Sequence, residues 1–197
     1  MTMATKPSHI KLETKRLIIR EHSFDDIDAV EAYSTQEKFW RYLQVGELKE
    51  GAGRSYIERV VAEQSARPRT EFNLALVLKD TGQVIGNVRL GVTDLDHGEC
   101  ILGYALAVDQ WGHGYASEGV RGILDFAFNT LMMHRVYAMV DSENTASIHV
   151  LEKAGFTREG LLRENKRVGN TENTRTSSYV YGLLAHEYRT ISCHTVA

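Results

Sequence analysis

Cysteine is nearly absent from this 197-residue chain: Cys100 sits in a strand-like apolar run, Cys193 lies in the tail, and the two make no disulfide framework. A reduced, cytoplasmic protein is the expectation that follows. There are only two prolines, so no stretch reads as a proline-rich linker, and no internal repeat is visible. No apolar run approaches the roughly 20 residues of a membrane-spanning helix. Residues 1–16 carry lysines but lack the apolar stretch of a secretory leader. The eight histidines are scattered without metal-ligand spacing, so no metal is expected. A formal net charge of −3 argues against a nucleic-acid partner, and nothing in the chain calls for a membrane partner. Ordinary hydrophobic and charged fractions over this length predict one globular domain spanning 1–197.

Against that background stands Gln110-Trp111-Gly112-His113-Gly114-Tyr115-Ala116-Ser117-Glu118. It follows the apolar run from Ile101 to Val108 and opens a segment of helical periodicity. A glycine turn at a helix start leaves several backbone N–H groups unpaired beside the positive end of the helix dipole. Such a turn grips phosphate or pyrophosphate without a lysine. A tight turn that needs positive φ uses glycine as well, so the rest of the chain must decide.

Strand-like alternation marks about 16–20, 72–79, 84–92 and 99–108, with turn signals at Asp80-Thr81-Gly82-Gln83 and Asp94-Leu95-Asp96-His97-Gly98. Ser23 reads as the cap of a first helix, and a second covers about 53–66. After the glycine turn, Ala116, Val120, Ile123, Leu124, Ala127 and Leu131 form one apolar helical face. Gly119 and Gly122 weaken that helix by roughly 1 kcal/mol each, so packing must hold it. A strand at 134–140, a helix at 144–154, a strand from Phe156 and a last strand at 178–184 complete the order.

Three segments then act together: Leu12-Glu13-Thr14-Lys15-Arg16-Leu17-Ile18-Ile19-Arg20, the glycine turn, and the stretch from Asn144 through Ser147 to Gly155-Phe156. Their joint spacing closely resembles the GNAT superfamily of acyl-CoA-dependent N-acetyltransferases, in particular the RimJ/RimL-type branch, from about Leu12 to Tyr188. The resemblance implies an α+β fold with a mixed, mostly antiparallel sheet of six to seven strands. That sheet would be splayed between the fourth and fifth strands and carry helices on both faces. It also implies acetyl-CoA as cofactor, no metal, an amine substrate (a protein N-terminus or a small molecule), and a monomer or homodimer.

On that resemblance pantetheine would lie along Leu106, Ala107 and Val108, with the Ala107 or Val108 N–H steadying an oxyanion. The pyrophosphate would rest on the amides of Gly112, His113, Gly114, Tyr115, Ala116 and Ser117. Asn144 would bond the pantetheine arm, and Ser147 would assist the departing thiol, although both residue types are also ordinary helix caps. Where relatives carry glutamates, this chain has Ile101 and Lys166. Glu99 and Glu164, each two residues away and so on the same strand face, are the candidate bases. Phe39, Trp40, Tyr42 and Tyr104 would shape the acceptor site, with the polar loop 168–175 beside it. Ser177 replaces an aspartate common among relatives. A CoA-binding module without turnover, or a transferase for another acyl-CoA, is the alternative.

Overall fold

The computed structural model describes residues 9–42, 51–167 and 175–194. An eight-stranded sheet runs in the order β1 (Lys11–Glu13), β2 (Leu17–Glu21), β3 (Glu71–Leu78), β4 (Val84–Asp94), β5 (Glu99–Leu106), β6 (Arg135–Asp141), β8 (Arg175–Leu184) and β7 (Thr157–Arg167). Every neighbouring pair is antiparallel except β5 with β6. The helices are α1 (Ile27–Ser34), α2 (Glu37–Trp40), α3 (Ala52–Gln64), α4 (Tyr115–Asp125), α5 (Thr145–Lys153) and α6 (Ala185–His194). The expected α+β class and mixed, mostly antiparallel sheet are present, with eight strands in place of six or seven. The extra strand, β1, has only three residues and is too short to show alternation. Helix α6 occupies part of what reads in sequence as a polar tail; its Tyr188 stacks on Phe128, 5.0 Å between ring centroids.

Turn chemistry sets the meander. Gly82 (φ +71°) joins β3 to β4, and Gly98 (φ +65°) joins β4 to β5, as the turn signals require. Two apolar layers follow from the two faces of the sheet. Helix α4 packs over β2–β5 with Val120, Ile123 and Leu124 buried against Ile19, Leu76 and Val88. Its glycines are where it rides directly on the sheet: a Cβ on Gly119 would meet Leu76 at 3.0 Å, and one on Gly122 would meet Ile19 at 2.6 Å. Close packing thus offsets the propensity cost of both residues. On the opposite face, α1 and α3 cover Ala75 and Val77 through Val30, Tyr33, Ile57 and Val60. Glu31 of α1 fixes that pair of helices, because its carboxylate accepts from the N–H groups of Gly51 (2.9 Å) and Gly53 (2.7 Å) at the start of α3.

The turn into α1 holds a buried ion pair. Arg20 on β2 donates to both oxygens of Asp26 (2.8 and 2.7 Å), and the Ser23 N–H donates to the same carboxylate at 3.0 Å. Burial alone would push this carboxyl up; hydrogen bonds from Arg20 and the Ser23 N–H, with the His22 ring 3.3 Å away, outweigh it and hold Asp26 far below the usual carboxylate range. A carboxyl depressed by folding contributes stability that is fully present above its unfolded value, about 3.9, and drains as pH falls below that. Thermal melts should therefore lose stability from about pH 4 downward. Asp26→Asn should cost about 2 kcal/mol at neutral pH and flatten that acid limb. An acid limb of unchanged slope in the variant would assign it to other carboxylates.

Candidate active site

β5 and β6 share register only from Glu99↔Arg135 to Ile101↔Tyr137. Beyond Ile101 they part, β5 staying with β4 and β6 with β8. The Ala107 N–H donates to the Ile85 carbonyl at 2.8 Å. Ladder bonds alternate along an antiparallel pair, so residues 101, 103, 105 and 107 turn their backbone groups toward β4, while Leu102, at the end of the β6 ladder, and Tyr104 and Leu106 beyond it turn theirs to the other side, the last two into the gap. A strand edge thus lies open inside the sheet. The Leu106 carbonyl is taken by the Trp111 indole N–H at 2.9 Å. This phase corrects one expectation: the Ala107 N–H is already bonded and is not available to an oxyanion, whereas the Tyr104 and Leu106 amides face the opening. Leu106 and Ala107 are buried at the end of β5, and Val108 starts the short turn (Val108–Gln110) that leads to the glycines.

In that turn Gly112 (φ +78°) and Gly114 (φ +80°) are left-handed, and Gly114 caps α4. The first amide of this helix to find an acceptor is that of Glu118, bonded to the Gly114 carbonyl at 3.1 Å. Those of Tyr115, Ala116 and Ser117 have no acceptor within the helix. A Cβ on Gly112 would touch nothing within 4 Å, so the space outside the turn is open. The N-terminal motif braces this turn, a role the sequence reading left blank. Arg16 donates from its backbone and Nε to the two Glu118 oxygens (2.6 and 2.7 Å) and from Nη1 to the His113 carbonyl (2.9 Å). Thr14 Oγ1 adds a bond to Glu118 at 2.6 Å, and the Arg16 guanidinium lies 4.4 Å over the Tyr115 ring. Although burial pushes the Glu118 carboxyl up, Thr14 and Arg16 hold it lowered overall. The available sequence signal was Thr14-x-Arg16 together with an acid in the first turn of the helix.

Across the gap, Asn144 caps α5 by accepting the Ser147 N–H at 3.1 Å. The Tyr104 hydroxyl lies 2.6 Å from Ser147 Oγ and donates to the Ser147 carbonyl at 3.1 Å. Burial pushes the Tyr104 phenol up to about 12, with the Ser147 bond opposing. These residues border a cavity of about 930 Å³ that reaches under α1–α3, and the predicted acceptor residues Phe39, Trp40, Tyr42 and Tyr104 all line it. Phe39 is mostly core, buried between Tyr33 and Trp40, and the Trp40 indole bonds the Ser34 carbonyl.

The two predicted bases do not reach this cavity. Glu99 lies where β5 and β6 are still joined, and Arg135 donates to it at 2.9 Å; Ile101, beyond it, is in the wall instead. Glu164 (φ +48°) sits exposed on an irregularity where the β7–β8 register shifts between Leu162 and Lys166. The irregularity breaks the period of two, so Lys166 lines the cavity and Glu164 does not. Burial lowers the Lys166 ammonium, opposed by Asp141. Asp141 is the one carboxylate of the wall among the described residues. Residues 168–174 of the predicted flanking loop lie outside the described residues. Among the described residues no group of three His, Cys, Asp or Glu is placed to hold a metal, and no helix is long and apolar enough to cross a membrane.

Residues 16–157 match the family described as acetyltransferase (GNAT) domain. The uncharacterized N-acetyltransferase p20 of Bacillus licheniformis is 28% identical over 177 residues, 90% of this chain and 97% of that protein. The fold is similar to that of spermidine N-acetyltransferase from Vibrio cholerae in complex with CoA and spermine, with a TM-score of 0.76, 20% identity, and coverage of 89% of this chain and 99% of that one. It is equally similar to Mycobacterium smegmatis RimJ in complex with CoA-disulfide, with a TM-score of 0.76, 20% identity, and coverage of 93% and 94%.

Proposed function

The chain belongs to the acetyltransferase (GNAT) family, and on that premise we propose that it transfers acetyl from acetyl-CoA to a primary amine. One observation carries the reading: the β5 edge that opens beyond Ile101 lines the same cavity as the Tyr104–Ser147 pair, and β5 runs on from it through Val108–Gln110 into the turn whose first helical amides lack helix acceptors. Acetyl-CoA, when bound, supplies an activated thioester carbonyl. The amides from Gly112 to Ser117, with Arg16 beside them, hold its pyrophosphate. The gap-facing backbone of Tyr104, with the Leu106 N–H, takes the pantetheine arm. Asn144, whose Oδ1 is occupied by Ser147, offers its Nδ2 to the arm.

The Tyr104 or Leu106 amide stabilises charge on the carbonyl oxygen as the N–C bond forms and the C–S bond breaks. Ser147 delivers a proton to the departing sulfur and draws on Tyr104. The incoming ammonium loses two protons: one balances the thiol and the other leaves to solvent past Asp141. With Ile101 and Lys166 in the wall, Asp141 replaces the glutamates suggested by sequence.

Titration calorimetry with acetyl-CoA, CoA and dephospho-CoA is the direct test. A dissociation constant in the micromolar range, about −8 kcal/mol, is expected, followed by thiol release when amines are added. A well-folded sample that binds none of the three ends this reading. Binding without thiol release from any amine would leave a CoA-holding module.

A further inference from the structure

We propose that the acceptor amine carries an anionic group, a carboxylate a few bonds from the nitrogen, and that Arg89 receives it. This inference rests on the transferase reading above. Arg89 lines the cavity from β4, pairing in register with Gly103 of β5. It is therefore one strand, about 4.8 Å, from the β5 edge that opens into the gap. Its Nε and Nη2 donate to the two oxygens of Glu71 at 2.8 and 2.9 Å, and Glu71 is not part of the wall. That fork fixes the guanidinium plane from behind and leaves Nη1 with no bonded partner among the described residues.

The two glycines nearby make room for this arrangement. A Cβ on Gly91 would meet Arg89 Nη2 at 2.8 Å and Glu71 at 3.0 Å, so the bare residue leaves space for the fork. At Gly103, between Arg89 and the gap, there is no side chain to separate a bound anion from the reacting end.

The rest of the wall has the same sign. Arg59, itself paired with Glu63 at 2.6 Å, and Lys166 line it with Arg89, and Asp141 is the one carboxylate of the wall among the described residues. Asp141 itself already accepts from Thr176 at 2.8 Å and from the Glu143 N–H at 2.9 Å. A polyamine would find one carboxylate among the described residues of this wall, and that one already accepts two hydrogen bonds. An amino acid brings one carboxylate to a positioned guanidinium, and the aromatic wall of Trp40 and Tyr56 suits an apolar side chain.

Matched acceptors test this: phenylalanine against phenethylamine, methionine against its decarboxylated amine, and spermidine. The member with a carboxylate should lead its pair in kcat/KM by roughly tenfold or more, with spermidine poorest, as a charge-assisted bond predicts. Arg89→Met should bring the ratio within each pair toward one, and Arg89→Lys should restore part of it. Acetyl-CoA affinity and far-UV dichroism check that the variants are folded. A decarboxylated amine or spermidine as the better acceptor overturns the inference, as does an Arg89→Met protein whose ratio stays at the wild-type value. Calorimetry with N-acetylphenylalanine against N-acetylphenethylamine, in the presence of CoA, reads the same preference without turnover. Preference for the acid in a protein that transfers nothing would uphold the anion site and sink the transferase reading. Transfer without preference would do the reverse.

Discussion

Gly114→Trp is expected to raise the acetyl-CoA dissociation constant roughly a thousandfold, the sum of a backbone cost and lost phosphate contacts. The position is left-handed at φ +80°, where a bulky L-residue costs about 1–2 kcal/mol. The new side chain would also stand over the first-turn amides, beside Arg16 Nη2, which already lies 3.6 Å from a Cβ built there. Each charge-assisted bond lost adds about 1.5–3 kcal/mol. The buried face of α4 is remote from the change, so the sheet and its helices should survive, and a circular dichroism spectrum checks that. A folded variant with wild-type affinity would falsify the phosphate-cradle assignment outright.

Ser147→Ala should slow thiol release about a hundredfold while changing acetyl-CoA affinity far less, since the bond from residue 147 N–H to Asn144 does not need the hydroxyl. General acids contribute about 10²–10⁴. The low end applies here because a thiol with a pKa of about 8.5 already leaves readily. Tyr104→Phe should match it, because the two hydroxyls act as one relay at 2.6 Å. The double variant should be hardly worse than either single one. With its pKa pushed up to about 12, Tyr104 stays protonated through the neutral range, so the alkaline limb of the rate below that pH is not its titration. Wild-type rates in both single variants would reduce the pair to a helix cap and a packing contact.

What the sequence made legible is what depends on residue type at short range. Gly112 and Gly114 announce positive φ and exposed amides, and Asn144 three residues before Ser147 announces a cap; both occur where the motifs put them. Strand phase was not legible. Whether Ala107 or Leu106 faces the gap depends on the β4–β5 register, which no local pattern encodes. Glu164 was placed by assuming an unbroken strand, and the irregularity before Lys166 took it off the face that Lys166 occupies. Long-range partners were also hidden. Thr14 and Arg16 meet Glu118 across roughly a hundred residues of chain, and Arg89 finds Glu71 across two strands' length. A charged residue in a half-buried strand shows in sequence, but its direction and its counter-ion do not.

The two tryptophans of the chain, Trp40 and Trp111, stand at opposite ends of the route just described. Trp111 is half-exposed beside the glycine turn, its indole N–H on the Leu106 carbonyl, and Trp40 lines the cavity. Indole emission shifts with hydration and hydrogen bonding, so the protein carries an intrinsic fluorophore beside each of the two proposed substrate sites. In Trp40→Phe the remaining emission answers to the nucleotide side alone, and in Trp111→Phe to the amine side. The order in which the two substrates arrive can then be read optically from the unlabelled protein.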